Sequence, residues 1–244
     1  MPDVSIIVPV MNEEESIPVL AREISQALDA TRWDWECLWV DDASTDRTPE
    51  VLRALAQEAP RHRWVRATAN RGQSAALAAG FRLAKGSILG ALDGDGQNNP
   101  ADFPALLERL ARGDVDMVNG IRAKRQDSWV RKLSSRIGNG FRNRLTHESV
   151  SDVGCAIRVF RKECVERIPV FRGMHRFLPT LVRMQGYRIT EQPVDHRPRE
   201  LGTTKYGIGN RLWVGIGDTL AVRWMLRRMV WDLSTSGPTP QKDN

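Results

Sequence analysis

The stretch Leu-Gly-Ala-Leu-Asp-Gly-Asp-Gly-Gln-Asn-Asn-Pro, residues 89–100, joins an apolar run to a turn that carries two carboxylates. Residues 87–92 are typical of a short buried strand, and the glycines and the Asn-Asn-Pro sequence then break it. Asp93 and Asp95 lie two positions apart on this turn, so their oxygens can converge on one point. Hard oxygen ligands on a glycine-loosened backbone suit Mg²⁺ or Mn²⁺. The stretch therefore predicts a strand end with a metal site, in which the Gln97 amide oxygen is a third ligand.

Two other interpretations of this stretch concern its turn. Turns rich in Gly and Asp are often plain turns, in which the Asp side chains accept hydrogen bonds from nearby backbone N–H groups, and this alternative stays open. A calcium loop of the EF-hand type also begins Asp-x-Asp, but it requires Gly at its sixth position and Glu at its twelfth. Asn98 and Pro104 occupy those positions here, so that type of loop is excluded.

The composition is that of an ordinary globular protein. The 244 residues are 41% hydrophobic and 27% charged, enough for one large domain with a sizeable core. The three cysteines are odd in number and lack the Cys-x-x-Cys spacing, which favours a reducing cytoplasm over a disulfide framework or a zinc site. We expect no signal peptide and no membrane span, because no uncharged apolar stretch reaches about 18 residues.

Charge is distributed unevenly along the chain. Residues 1–121 contain 12 Lys and Arg against 19 Asp and Glu, whereas residues 122–244 contain 24 against 11. The net charge of +6 therefore conceals an acidic first half and a basic second half. The second half is either a well-solvated surface or a binding surface for nucleic acid, phosphorylated substrates or anionic lipid.

Apolar strands alternate with amphipathic helices through the first half. The predicted strands are 4–10, 35–40, 64–67, 87–92 and 116–120, and the predicted helices are 16–30, 48–59, 74–84 and 100–111. This alternation predicts an α/β fold with a mostly parallel, Rossmann-like sheet and helices on both faces.

Polar residues follow each of these strands. In open α/β sheets, ligands bind outside the carboxyl ends of the strands, so these residues together predict a site. No Gly-x-x-x-x-Gly-Lys-[Ser/Thr] or Gly-x-Gly-x-x-Gly motif is present, so phosphates must be held by metal and by Arg or Lys. The strand-end residues are Asn12, Glu13, Asp41, Asp42, Asn70, Gly72, Asp93, Asp95 and Arg122.

Five motifs, in order and spacing, resemble family 2 glycosyltransferases of the GT-A fold. They are Pro9-Val10-Met11-Asn12-Glu13-Glu14, residues 40–46, Asn70-Arg71-Gly72, residues 93–97 and Gly120-Ile121-Arg122. The later run 196–206 resembles the branch with dolichyl-phosphate mannosyltransferases and bacterial polyprenyl-phosphate glycosyltransferases. The resemblance covers about residues 3–210. Three positions depart from the family pattern, namely Met11 for an aromatic residue, Gly94 for Ala and Thr204 for Ser.

The resemblance implies a role for each matching residue. It implies that the nucleotide sugar is contacted by Pro9, Asn12, Glu13, Asp41, Asp42, Gly72 and Asp93. It implies that Asp93, Asp95 and Gln97 bind the metal that bridges the diphosphate. The residues implied in catalysis are Asp95, Asp152, Arg122, Arg199 and Lys205. The three cations of that set match positions that contact phosphate in the family.

The second half is predicted to bind the acceptor. Residues 151–160 favour an edge strand headed by Asp152, and the roles of base, orienter and strand-end cap all stay open for this carboxylate. A helix over 171–186 and a strand over 187–194 follow. Beyond them, Arg197, Arg199 and Lys205 belong to a basic loop with a glycine hinge that can fold over phosphates.

Two segments combine apolar and basic residues at helical spacing. Residues 123–147 are either a helix packed on the sheet or one in the membrane interface. We expect a GT-A domain over 1–210, with a nucleotide-sugar half (1–121) and an acceptor half (122–210), and a disordered tail over 234–244. Residues 211–233 predict amphipathic interfacial helices, because their charges make a membrane span costly.

These patterns lead to one functional prediction and two alternatives. We predict a metal-dependent inverting enzyme that moves a hexose from GDP-mannose or a UDP-sugar to dolichyl or undecaprenyl phosphate. It would lie peripherally at the cytoplasmic face of the cell membrane, with a separate membrane protein as a partner. One alternative is a sugar hydroxyl acceptor in polysaccharide or lipopolysaccharide synthesis. Nucleic-acid binding is disfavoured, because the basic segments lack exposed stacking aromatics and a binding motif.

Overall fold

The computed structural model of the protein describes residues 1–122, 152, 154–198 and 210–230, and for 210–214 it describes the backbone only. Within these residues the elements in chain order are β1 (Val4–Val10), α1 (Ile17–Asp29), β2 (Trp35–Asp41), α2 (Thr48–Glu58), β3 (His62–Arg66), α3 (Gln73–Leu83), β4 (Ile88–Ala91), α4 (Phe103–Ala111), β5 (Met117–Arg122), β6 (Arg158–Arg161), α5 (Leu178–Met184), β7 (Ile189–Val194) and α6 (Asn210–Arg228).

The strands form one seven-stranded sheet in the order β3-β2-β1-β4-β6-β5-β7. All neighbouring pairs are parallel except those of β6, which runs antiparallel to both β4 and β5. The predicted mostly parallel sheet is confirmed. The first half of the chain alone supplies β1 to β5, and β6 from the second half lies between two of these strands.

The prediction of an edge strand over 151–160 is wrong in both position and length. The strand spans only Arg158–Arg161 and lies in the interior of the sheet, with Phe160 opposite Leu89 on one side and opposite Met117 on the other. The apolar side chains of Val159 and Phe160 enter the cores on opposite faces. Burial on both faces is the physical reason for the continuous apolar run.

Helices cover both faces of the sheet, as predicted. The core on one face includes side chains of α1, α2 and α4, and the core on the other face includes side chains of α3 and α5. All seven residues of both β1 and β2 are buried, as expected for central parallel strands. This packing fixes the carboxyl ends of the strands relative to one another.

The predicted helix over 171–186 is shorter and broken. A 3₁₀ turn spans Met174–Arg176, and α5 begins only at Leu178. Gly173 precedes the turn with a φ of 92°. A Cβ atom there would lie 2.5 Å from Asp218 Oδ2 of α6, so the chain bends where α6 approaches it.

The C-terminal helix α6 contacts the fold through Val222, which is fully buried, whereas Leu220 and Trp224 are 51% and 62% exposed. Among the described residues, no helix has the length and apolar character that crossing a membrane requires. The structure describes one helix within 211–233, and its interfacial role stays a prediction. The predicted helix over 123–147 and the tail over 234–244 lie outside the described residues.

Candidate active site at the carboxyl edge of the sheet

The loops after β1 and β2 are joined by hydrogen bonds from Asn12. Its backbone N–H donates to Ser44 Oγ at 2.9 Å, and its Oδ1 accepts from the Thr45 backbone N–H at 2.8 Å. Asn12 and Ala43 both have positive φ angles, 53° and 60°. A non-glycine residue in this region is unfavourable and is found most often at functional sites. Asn12 therefore holds the loops after β1 and β2 together at the carboxyl edge of the sheet.

Two neighbouring carboxylates after β2 hold different loops. Asp42 accepts the backbone N–H groups of Arg71 and Gly72 at 2.8 and 2.7 Å, so it fixes the loop after β3. Asp41 is fully buried, accepts the Ser44 N–H at 2.9 Å and lies 3.2 Å from Arg66 Nε. The predicted nucleotide contacts of Asp41, Asp42 and Gly72 stay predictions. The observed contacts show what these groups do for the scaffold.

The predicted metal pair lies at the end of β4. Gln73 Nε2 at the start of α3 donates to Asp93 Oδ1 at 2.6 Å. Burial and the Asp95 carboxylate raise the pKa of Asp93 from 3.8 to about 7, and Glu13 adds to this rise. Burial disfavours the charged form and the like charge of Asp95 adds to this effect, whereas a cation bound between the two carboxylates would oppose it.

The donor set of this turn fits a divalent cation. Asp93 and Asp95 supply hard carboxylate oxygens, and their mutual repulsion gives a cation a favourable potential. The turn is held from outside, because Ser16 Oγ donates to the Gly94 carbonyl at 2.7 Å. At Gly94 a Cβ atom would lie 2.6 Å from Val10 Cγ1, which accounts for glycine at this position. Within the described residues no cluster of three or more His, Cys, Asp or Glu side chains is placed to hold a metal ion, and Gln97 stays the predicted third ligand.

Arg122 and Asp152 form a largely buried ion pair at the end of β5, with side chains 14% and 8% exposed. The guanidinium donates from Nε to Oδ2 at 2.6 Å and from Nη2 to Oδ1 at 2.7 Å, and the Gly154 backbone N–H adds a bond of 3.1 Å to Oδ1. A Cβ atom at Gly154 would lie 2.6 Å from Arg122 Nη2. A carboxylate that binds both arms of a guanidinium is stabilised as the anion. Asp152 therefore orients Arg122.

The segment after β7 lies against the metal turn. The Arg197 backbone N–H donates to the Gln97 carbonyl at 2.8 Å, and its guanidinium donates to Glu23 and Asn99 at 2.7 Å each. The predicted position of Arg197 over phosphates is therefore not observed in the described contacts. A cavity of about 340 Å³ lies beside it, lined by residues of α1, by Asp95 and Gly96 and by Arg197 and Pro198. Arg199 and Lys205 lie outside the described residues.

Sequence reasoning missed Arg158. This arginine is the first residue of β6, is 4% exposed and donates to the backbone carbonyls of Cys155 and His175. The only sequence signal is a single arginine inside the otherwise apolar run 155–160. Gln73 is a second residue without a predicted role, although it follows the predicted Asn70-Arg71-Gly72 motif directly.

Comparisons with known proteins identify the family of the chain. The model of glycosyl transferase family 2 matches residues 5–168. An undecaprenyl-phosphate 4-deoxy-4-formamido-L-arabinose transferase of Edwardsiella ictaluri is 40% identical over 207 residues, which make up 84% of this chain and 63% of that protein. A dodecaprenyl-phosphate galacturonate synthase of Rhizobium johnstonii is 34% identical over 229 residues, 92% of this chain and 68% of that protein. The chain therefore belongs to glycosyltransferase family 2, and it spans less than two thirds of the length of the first of these relatives.

The fold is also that of solved glycosyltransferases. A mannosyltransferase of Pyrobaculum calidifontis, solved in complex with GDP-Man and Mn²⁺, aligns with a TM-score of 0.64 and 25% identity. The alignment covers 91% of this chain and 63% of that structure. The predicted GT-A fold is confirmed.

Proposed function

We propose that the protein is a metal-dependent, inverting glycosyltransferase that moves a sugar from a nucleoside diphosphate to a polyprenyl phosphate. The observation that carries this proposal is the Asp93 and Asp95 pair at the end of β4, where burial and the neighbouring Asp95 carboxylate raise the pKa of Asp93 to about 7. The named relatives act with undecaprenyl or dodecaprenyl phosphate, and the mannosyltransferase structure contains GDP-Man and Mn²⁺. Their chemistry is consistent with the donor side of this site.

The residues at the carboxyl edge of the sheet would have different roles in binding the donor. A divalent cation held by Asp93 and Asp95, with Gln97 as a further ligand, supplies Lewis-acid stabilisation of the charge on the leaving diphosphate. Asn12 and Asp42 hold the loops that face the nucleotide. Gln73 holds the Asp93 carboxylate in one orientation. These groups are fixed before the ligand arrives, which lowers the cost of reorganisation.

The acceptor side supports a phosphate nucleophile more than a hydroxyl. A phosphate is already ionised at neutral pH, whereas a sugar hydroxyl requires a general base. Asp152 accepts two hydrogen bonds from Arg122, so its two oxygens are already engaged and it would orient Arg122 rather than act as a base. Arg199 and Lys205 would add positive charge for the acceptor phosphate.

The proposed enzyme acts peripherally at the cytoplasmic face of the membrane. The exposed side chains of Leu220 and Trp224 lie one turn apart on α6, and Arg227 and Arg228 follow them. Trp at headgroup depth with nearby Arg suits an anionic lipid surface. We expect retention on anionic liposomes that falls with salt, and loss of retention in the Trp224→Ser variant. A separate membrane protein as partner stays a prediction.

The deciding experiment offers the purified protein a panel of GDP- and UDP-sugars with Mn²⁺ or Mg²⁺ and undecaprenyl phosphate. Undecaprenol, which lacks the phosphate, is the matched acceptor control. We expect product only with the phosphorylated lipid, and only when a divalent cation is present. Asp152→Asn should lower the rate about tenfold. Inactivity of that variant, together with transfer to a sugar hydroxyl, would favour the alternative acceptor.

A further inference from the structure

Arg158 occupies a central position between the two sides of the proposed site. On β6 it lies opposite Ala91 of β4 and opposite Asn119 of β5. Ala91 precedes Asp93 by two residues, and Asn119 precedes Arg122 by three. Because β6 is antiparallel to both strands, its first residue meets their carboxyl ends. Arg158 therefore lies at the edge where both halves of the site begin.

Among the described residues, no carboxylate forms an ion pair with Arg158. Its Nη1 donates to the His175 carbonyl at 3.2 Å and its Nη2 to the Cys155 carbonyl, while its Nε is buried without a hydrogen-bond partner. Burial lowers the pKa of this guanidinium, and electrostatic interactions with Cys155, Asp93 and Asp152 act in the opposite direction. Burial of an unpaired charge costs several kcal/mol, so we expect Arg158 to have a role that offsets this cost.

The two carbonyl contacts of Arg158 lead to both sides of the site. Through Cys155 it holds the turn whose Asp152 orients Arg122. Its other contact, His175, is linked to α3, because His175 Nδ1 lies 2.9 Å from Ser74 Oγ of that helix. Ser74 follows Gln73, the residue that holds Asp93. One guanidinium thus joins the backbone supports of the donor carboxylate and of the acceptor arginine.

We propose that Arg158 is a positioning residue that aligns the two sides of the site and whose buried positive charge admits a diphosphate beside Asp93 and Asp95. The inference rests on the proposed function and adds a group that does not itself touch the substrates. A buried cation acts over several ångströms at low effective dielectric. It therefore offsets part of the carboxylate charge before and after the metal binds.

If Arg158 has this role, the Arg158→Met substitution should change the affinity for Mn²⁺ and the affinity for a nucleoside diphosphate in opposite directions. Removal of the cation leaves the carboxylate pair more negative, so Mn²⁺ alone should bind about tenfold more tightly at pH 8. A nucleoside diphosphate added at saturating Mn²⁺ should bind about tenfold more weakly. UDP and GDP are the probes, and titration calorimetry measures both affinities. Loss of a purely structural residue would weaken both together.

The Arg158→Lys variant separates position from charge. Lysine keeps the positive charge but cannot donate to both carbonyls from one planar group. We expect Mn²⁺ and UDP or GDP affinities within about twofold of the wild type, with kcat at least about tenfold lower and the donor KM unchanged. If the Met variant does not fold, this variant decides: an unchanged kcat overturns the proposal, and the expected split supports it.

The matched control is Arg161→Met, because Arg161 lies on the same strand, β6, but at its other end. Arg161 is 42% exposed and lies 3.8 Å from Asp116, so its loss should change neither affinity. The inference is overturned if a folded Arg158→Met protein binds Mn²⁺ and UDP or GDP as the wild type does, or binds both more weakly. Failure of the wild type to bind any nucleotide would instead contradict the proposed function, and the Mn²⁺ comparison would still test the Arg158 charge.

Discussion

Two carboxylates at opposite edges of the sheet, Glu36 and Asp93, experience opposite electrostatic environments. Glu36, near the amino end of β2, accepts hydrogen bonds from Ser5, Arg63 and the Lys85 backbone N–H, and these bonds hold its pKa below 4.5 despite burial. For Asp93, after β4, burial and the neighbouring Asp95 and Glu13 carboxylates raise the pKa to about 7, although Arg158 and the hydrogen bond from Gln73 oppose this rise. The hydrogen bonds of Glu36 therefore outweigh its burial, whereas the favourable contacts of Asp93 do not.

This difference separates stability from function on one scaffold. A carboxylate whose donors all come from the protein stabilises the fold. A carboxylate whose charge is opposed by its neighbours costs stability until a cation binds, which is typical of functional sites. We expect five consequences of this contrast, given from the largest effect to the smallest.

The largest effect is expected for Asp95→Asn. Loss of a metal carboxylate should lower transfer at least about a thousandfold, because the leaving diphosphate loses its stabilisation. The free energy of unfolding of the metal-free protein should stay equal or rise, since a repulsive charge is removed. Product formation and chemical denaturation measure the two quantities. Activity near the wild-type level in this variant would remove Asp95 from the metal site.

Glu36→Gln should have the reverse effect. Neutralisation of this carboxylate weakens charge-assisted hydrogen bonds from Ser5, Arg63 and Lys85, so unfolding should cost about 2 kcal/mol less. Rates and Mn²⁺ affinity of the folded protein should match the wild type. Urea denaturation and calorimetry are the measurements. A loss of Mn²⁺ affinity in folded Glu36→Gln protein would contradict the division between the two edges.

The pH dependence of Mn²⁺ binding should follow Asp93. Because the metal binds the ionised carboxylate, affinity should rise about tenfold from pH 6 to pH 8 across a pKa of about 7. Calorimetry in two buffers should show release of about one proton at pH 6 and almost none at pH 8. An affinity independent of pH would contradict the raised pKa.

The two carboxylates also give stability slopes of opposite sign in the metal-free protein. The raised pKa of Asp93 means that its contribution is present below about pH 4 and is lost as the pH rises through about 7. The lowered pKa of Glu36 means that its contribution is present above about 4.5 and is lost as the pH falls through its folded value. In Asp93→Asn the decline between pH 4 and 7 should become smaller.

The smallest effect is expected for Asp34→Asn at the amino edge. Asp34 pairs with Arg61 at 2.8 Å, but both side chains are about half exposed. Solvent-exposed pairs contribute little, so the free energy of unfolding should fall by less than about 0.5 kcal/mol. Urea denaturation beside Glu36→Gln compares an exposed with a buried carboxylate at the same edge. A loss as large as that of Glu36→Gln would show that burial is not the deciding factor.

Most elements of the first half could be predicted because their signals are local. The alternation of apolar runs with helices gave bounds for β1, α1 and α2 within about two residues of the structure. The glycines and aspartates after β4 indicated the turn at the end of that strand, and its metal site stays a prediction. The second half was predicted less well, because the apolar run before Phe160 is compatible with both an edge strand and a central one.

The sequence by itself determined the class of fold and the polar residues at the carboxyl edge, since periodicity and strand-end chemistry are properties of neighbouring positions. Only the tertiary structure decided that β6 enters the sheet between β4 and β5, and that Arg122 pairs with Asp152. It also decided that Arg158 is a buried cation between two anionic groups. The physical reason is that strand pairing and charge compensation depend on distances between residues far apart in the chain, which no local pattern records.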